Sequence, residues 1–265
     1  MVSSVPGGRL PAAADGRSWR VERFAALAST NDAALERARA GDLGHLWIVA
    51  DRQTSGRGRR GRVWVSESGN LHATALLIDP CAVRHLAELP FVAVVAAHRA
   101  VAGHVAGGES RVRIKWPNDL MVDGRKVAGI LLESTRLADG RTAVAVGIGI
   151  NCKHAPSGTE MPATSLLAAG SAVLPEVLFD DLGAALARVF EIWDGGVGFA
   201  AVRADWLAHA VGIGAPIRVR LVAGEESGVF EAIDTAGRLV LRTADGEKRT
   251  ISAGDVFFPA GAGAE

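Results

Sequence analysis

Apolar positions along this chain fall into runs of two lengths, and their alternation predicts a sheet with helices packed against it. Short runs suited to strands are His45–Ala50 (HLWIVA), Arg62–Ser66, Leu71–Ile78, Arg111–Trp116, Asp119–Val122, Lys126–Ser134 and Thr142–Asn151 (TAVAVGIGIN). Asp123-Gly124 between two of them is a hairpin signal, so the Arg111–Ser134 stretch reads as an antiparallel meander. Longer runs suited to helices are Leu89–Val105, Pro175–Trp193 and Phe199–His209, with a short one at Ser165–Ala169. Ser29-Thr30-Asn31 offers N-caps to a helix that Gly41 stops. Beyond Gly212 the pattern shortens. Pro216–Val222, Gly228–Ile233, Arg238–Thr243 and Lys248–Ile251 are closely spaced strands, which suggests a small β-barrel after a larger mixed domain. The divisions expected are a flexible arm over 1–18, a main domain over 19–212 and the barrel over 213–265.

Composition narrows the classes. The chain has 265 residues with a formal net charge of +0, so no overall field attracts nucleic acid. Two cysteines, Cys81 and Cys152, are too few for a disulfide framework and lack zinc spacing, which favours a reducing cytoplasm. No unbroken apolar stretch reaches a membrane span, and the first twenty residues lack a signal-peptide core. Secretion and membrane insertion are therefore not expected, and any nucleic-acid binding would have to be local.

Against that neutral background the segment Gln53–Arg62 (QTSGRGRRGR) holds four arginines, three glycines and no acid. Arginine forks on a backbone free to turn suit an anionic ligand; a solvated surface turn suits the same residues. The spacing Gly56-x-Gly58-x-x-Gly61 matches a dinucleotide fingerprint, but Val63-Trp64-Val65 follows where a helix is needed. A second cluster, Lys115-Trp116-Pro117-Asn118-Asp119, sets an amide and a carboxylate at a turn. One carboxylate is enough for a magnesium ion that arrives on a nucleotide. Lys126 opens the next strand, where it could guard an edge or serve a site.

The order of these blocks carries more than any one of them. Ser29-Thr30-Asn31, then the arginine-glycine segment to Trp64, then KWPND, then Gly124-Arg125-Lys126-x-Ala128-Gly129-Ile130-Leu131, then Gly147-Ile148-Gly149-Ile150-Asn151, together resemble the biotin protein ligase family. The resemblance implies an α+β fold: a mixed, mainly antiparallel sheet with helices, like class II synthetases, plus a C-terminal SH3-like barrel. It implies activation of biotin by Mg·ATP to biotinyl-5′-adenylate, then transfer to a lysine of a biotin carboxyl carrier protein domain of an acyl-CoA or pyruvate carboxylase.

By the same resemblance Ser29, Thr30, Asn31, Gln53, Gly56, Arg57, Gly58, Arg59, Lys126 and Gly129 serve biotin. Arg59, Arg60, Trp64, Lys115, Asn118, Asp119 and Asn151 serve ATP, with Asp119 toward magnesium. Lys126, Arg59 and Asp119 are the expected catalytic set, and the arginine loop and the Cys152–Pro162 loop are expected to close over the anhydride. The length suits a monofunctional ligase without a DNA-binding domain, and homodimers are compatible with it. Two rivals remain at this stage: a lipoate ligase-like enzyme and a non-catalytic binding module.

Overall fold

The computed structural model describes residues 18–258. The expected arm lies outside them but for Ser18, as does the chain beyond Phe258. The elements begin with β1 (Arg20–Phe24), α1 (Thr30–Arg39), β2 (Leu46–Ala50), β3 (Leu71–Ile78), α2 (Leu89–Ala102), α3 (Gly108–Arg111) and β4 (Val112–Lys115). There follow β5 (Asp119–Val122), β6 (Arg125–Arg136), β7 (Thr142–Ile150), α4 (Pro175–Trp193) and α5 (Phe199–Ala208). The chain then runs through β8 (Pro216–Arg220), β9 (Glu225–Ile233), β10 (Leu239–Arg242), β11 (Lys248–Ile251) and β12 (Asp255–Phe257).

Seven strands form the first sheet in the order β1-β2-β3-β7-β6-β5-β4. Only the β1–β2 pair is parallel, so the sheet is mixed and mainly antiparallel. Its two faces explain why β2 is apolar throughout. Trp47 and Val49 join the core beneath α2 and α4, while Leu46 and Ile48 join Ala34, Leu35 and Ala38 of α1 on the other face. A strand covered on both sides has no polar face to show. The run Val83–Ala102 is long and apolar enough to cross a membrane, yet most of it is buried in this core.

The second sheet, β11-β10-β9-β8-β12, is wholly antiparallel and is the expected SH3-like unit. Its Ile217, Val219, Phe230 and Leu239 belong to the same apolar cluster as α2 and α5. Three polar fastenings add direction. Trp116 Nε1 donates to the Gly237 carbonyl at 3.0 Å, and Arg203 Nε donates to the carbonyls of Ile233 and Asp234, both at 2.9 Å.

Four local expectations differ from the structure. Arg62–Ser66 is not a strand: Trp64 N donates to the Gly56 carbonyl at 3.0 Å and Gly58 N to the Arg62 carbonyl at 2.7 Å, so the segment folds back on its own loop. Ser165–Ala169 is a set of turns ending at Gly170, whose φ of +92° no ordinary helix accepts. The strands β1 and β12 were not expected, because RVERF and DVF are too short and too charged to read as apolar runs.

Candidate active site

Two rows of residues across the first sheet build the floor of a cleft. Asp119 of β5 lies opposite Gly129 of β6, Gly129 opposite Gly149 of β7, and Gly149 opposite His72 of β3. The neighbouring row runs Leu131, Gly147, Thr74. These positions share the face that carries α1, and glycine at the centre of both rows lets side chains from other elements approach the strands closely. A Cβ on Gly149 would stand 2.6 Å from the Trp64 ring, and one on Gly147 would overlap Asn31 Oδ1. The alternation of GIGIN therefore puts isoleucines into the core and lets Trp64 and Asn31 lie directly on the backbone of β7 on the cleft side.

The cleft encloses about 300 Å³ and gathers groups from distant parts of the chain. Of the residues expected from the sequence, Ser29, Thr30, Asn31, Gln53, Arg57, Gly58, Arg59, Trp64, Lys115, Asn118, Asp119, Lys126, Gly129 and Asn151 line it. Gly56 and Arg60 do not. Gly56 sits under the loop, where a Cβ would overlap Ser66 Oγ, so its part is to let two stretches of backbone meet. Arg60 is paired behind the lining with Asp255 at 3.0 Å.

At one end the groups are neutral. Ser29 caps α1 by accepting from the Asp32 amide at 3.3 Å. Gln53 Oε1 accepts from the Thr30 amide at 2.9 Å and lies 3.0 Å from Thr30 Oγ1, while its Nε2 donates to Ser66 Oγ at 2.9 Å. At the other end the groups are charged. Lys126 Nζ pairs with Asp119 Oδ1 at 2.6 Å and stands 5.5 Å from the centre of the Trp64 ring. Arg59 Nη1 donates to Asn118 Oδ1 at 3.2 Å and Nη2 to the Gly254 carbonyl at 3.1 Å; burial lowers its pKa. Asn118 Nδ2 in turn donates to the Ile130 carbonyl. Lys115 is 4% exposed with its Nζ 3.0 Å from Met161 Sδ, and burial pulls its pKa down to about 8 although Asp119 works the other way.

The arginine segment is a loop with a single 3-10 turn at Arg59–Gly61. Arg57 is held by two acids, Asp32 at 2.6 Å and Glu133 at 2.9 Å. Those bonds raise its pKa, and the hydrogen bond from Arg57 lowers that of Asp32. Asn151 Nδ2 donates to the Thr164 carbonyl at 3.1 Å, anchoring the loop that follows β7. His72, Met161, Asp255 and Phe257 also line the cleft and were not expected. Asp255 and Phe257 come from β12, and no motif in the sequence links that strand to the arginine block. Among the described residues no three His, Cys, Asp or Glu side chains group as a metal cage.

Comparison with known proteins fits this geometry. Residues 24–151 match the model of the biotin/lipoate A/B protein ligase family, and residues 212–258 match that of the biotin protein ligase C terminal domain. The biotin–(acetyl-CoA-carboxylase) ligase of Paracoccus denitrificans is 43% identical over 239 residues, which cover 87% of this chain and 97% of that protein. The chain belongs to the biotin protein ligase family. Another ligase of that name, from Mycobacterium tuberculosis, is 32% identical over 251 residues, covering 91% of this chain and 90% of its own length. The biotin protein ligase of Aquifex aeolicus, solved in complex with biotin and ATP, superposes with a TM-score of 0.73 at 24% identity. The match covers 90% of this chain and 97% of that one, and it supports the fold. Residues from both matched regions meet in this cleft, the first region supplying the α1 cap and the arginine loop and the second supplying Asp255 and Phe257.

Proposed function

We propose that this chain joins biotin to ATP in the cleft, releases pyrophosphate, and passes the biotinyl group to a lysine of a carboxylase carrier domain in the cytoplasm. The observation that carries this is the division of the cleft into a neutral hydrogen-bonding end and a cationic end, separated by the glycine floor. Ser29, Thr30, Asn31 and Gln53 supply both donors and acceptors, as a ureido ring requires. The Trp64 ring, seated on Gly149 and Gly129, offers the apolar surface for the bicyclic ring and its tail. At the far end the biotin carboxylate meets the α-phosphate, and two anions must be brought together. Lys126 and Arg59 offset that repulsion and the charge that develops on phosphorus.

In the first step a carboxylate oxygen bonds to the α-phosphorus and the bond to the β-phosphate oxygen breaks, so pyrophosphate leaves. In the second step the neutral acceptor amine bonds to the anhydride carbonyl carbon, the bond to the phosphate oxygen breaks so that AMP departs with its electrons, and the nitrogen gives up one proton to water. Asn118, Lys115 and Trp64 hold the nucleotide. Magnesium enters as part of the Mg·ATP substrate, and Asp119 is the carboxylate assigned to it; one carboxylate suffices for an ion that keeps most of its own shell. Closure of the arginine loop and the 152–162 loop keeps water from the anhydride.

Biotin and lipoate are distinguished by measuring which acid supports ATP–pyrophosphate exchange. Exchange with biotin and none with lipoate is expected. Exchange with lipoate alone would overturn the reading of the neutral end, and binding of either without pyrophosphate release would make the chain a binding module.

A further inference from the structure

Asn31 is the group whose orientation decides what the neutral end offers, since the two ends of an amide have the same shape and opposite hydrogen-bonding sense. It is 3% exposed and has little room to move. Its Nδ2 donates to Glu133 Oε2 at 2.7 Å and to the Leu131 carbonyl at 3.3 Å. Its Oδ1 lies 2.7 Å from Thr74 Oγ1, on the side of Gly147, where the cleft floor begins. An ionised carboxylate accepts and never donates, so Glu133 forces the nitrogen end toward itself and the oxygen end toward Thr74 and Gly147. Turned round, Asn31 would present N–H donors to a ureido ring that itself brings N–H donors.

The same carboxylate receives Arg57. Arg57 Nε lies 3.2 Å from Glu133 Oε1, and Nη2 lies 3.0 Å and 2.9 Å from its two oxygens. Asp32 takes Nη1 at 2.8 Å and Nη2 at 2.6 Å. One guanidinium between two carboxylates leaves a local excess of negative charge, which disfavours a phosphate at that spot. Arg57 thus stands apart from Arg59, whose donors go to an amide and a carbonyl.

We infer that Glu133 is a positioning residue for the acid substrate: it sets the orientation of Asn31 and fastens the start of the arginine loop through Arg57. The inference rests on the proposed function and deepens it. Glu133 makes no contact with reacting atoms in this assignment, and Arg57 becomes part of the frame around the cleft.

The test is biotin-dependent ATP–pyrophosphate exchange by the full chain carrying Glu133→Met, which keeps the length of the side chain and removes the acceptor, or Glu133→Gln, whose remaining oxygen still accepts from Asn31. Glu133→Met is expected to raise the KM for biotin at least tenfold, with kcat and the KM for ATP within about threefold of wild type. Glu133→Gln should restore most of the biotin KM. An unchanged biotin KM in Glu133→Met overturns the inference. So does a Glu133→Met chain that has lost its cooperative thermal transition, because that result assigns Glu133 a purely structural part. A wild-type chain without biotin-dependent exchange would instead strike at the proposed function. Wild-type exchange with unmoved constants in Glu133→Met strikes at Glu133 alone.

Discussion

A lysine amine at 4% exposure beside a thioether is costly to keep charged, and Lys115 is the residue where the cleft pays most for its chemistry. With its pKa pulled down to about 8, Lys115 is mainly protonated at pH 7 and mainly neutral at pH 9. If it holds ATP phosphates as a cation, the KM for ATP should rise about tenfold over that interval, the size of one lost charge-assisted hydrogen bond. Lys115→Arg, which stays charged, should flatten the profile; equal profiles for the two proteins would remove Lys115 from nucleotide binding. Stability follows the opposite sense. The folded value lies below the ordinary lysine value of 10.5, so the unfolded chain binds more protons between the two. Unfolding free energy should therefore climb as pH rises from about 8 toward 10.5, and Lys115→Met should lose that slope in denaturant titrations. Gly147 makes a steric prediction at the same scale. A methyl group there overlaps Asn31 Oδ1, so Gly147→Ala should cost about 1–3 kcal/mol of strain and raise the biotin KM at least tenfold in exchange assays.

Single strands decide how the arginine loop is held. Asp255 on β12 is bonded to Arg60 at 3.0 Å and to Arg62, and the neighbouring Gly254 carbonyl receives Arg59. The acid is 12% exposed but Arg62 is 54% exposed, and such pairs contribute about 0–1 kcal/mol each. Asp255→Ala should leave the thermal midpoint within a few degrees of wild type and make trypsin cut the 57–62 segment several times faster. A larger loss of stability with unchanged cutting would mean that Asp255 serves the core of the second sheet. In the wild-type chain, biotin with ATP should slow cutting of this loop and of the 152–162 loop, and equal rates with and without ligand would contradict closure. This strand also marks the limit of reading elements from sequence. The meander, the β7 strand and the long helices were legible because apolar periodicity and an Asp-Gly turn mark them. Asp255-Val256-Phe257 has only three residues, and its partner loop lies almost two hundred positions earlier, so neither period nor spacing points to it. Arg62–Ser66 failed for a related reason: its β-prone residues bond to Gly56 and not to a neighbouring strand.

Across the whole molecule, one apolar cluster runs from the first sheet through α2 and α5 into the second sheet, so the surfaces that build the cleft are fixed to a common core. That arrangement explains why ordered motifs were so informative. Each block supplies one wall: the α1 cap, the arginine loop, the turn before β5, the start of β6 and the glycine strip of β7. What the blocks did not convey was side-chain pairing, such as Glu133 with Asn31 and Arg57, because partners 102 and 76 positions apart leave no local signature. The central claim is that Lys126 and Arg59 offset the meeting of carboxylate and phosphate in this cleft. The direct measurement is biotin-dependent pyrophosphate release by wild type, Lys126→Ala, Arg59→Ala and the double variant. The claim predicts losses of at least a hundredfold for each single variant, about 2.7 kcal/mol or more of transition-state stabilisation. A doubly substituted chain that still releases pyrophosphate at the wild-type rate would contradict it.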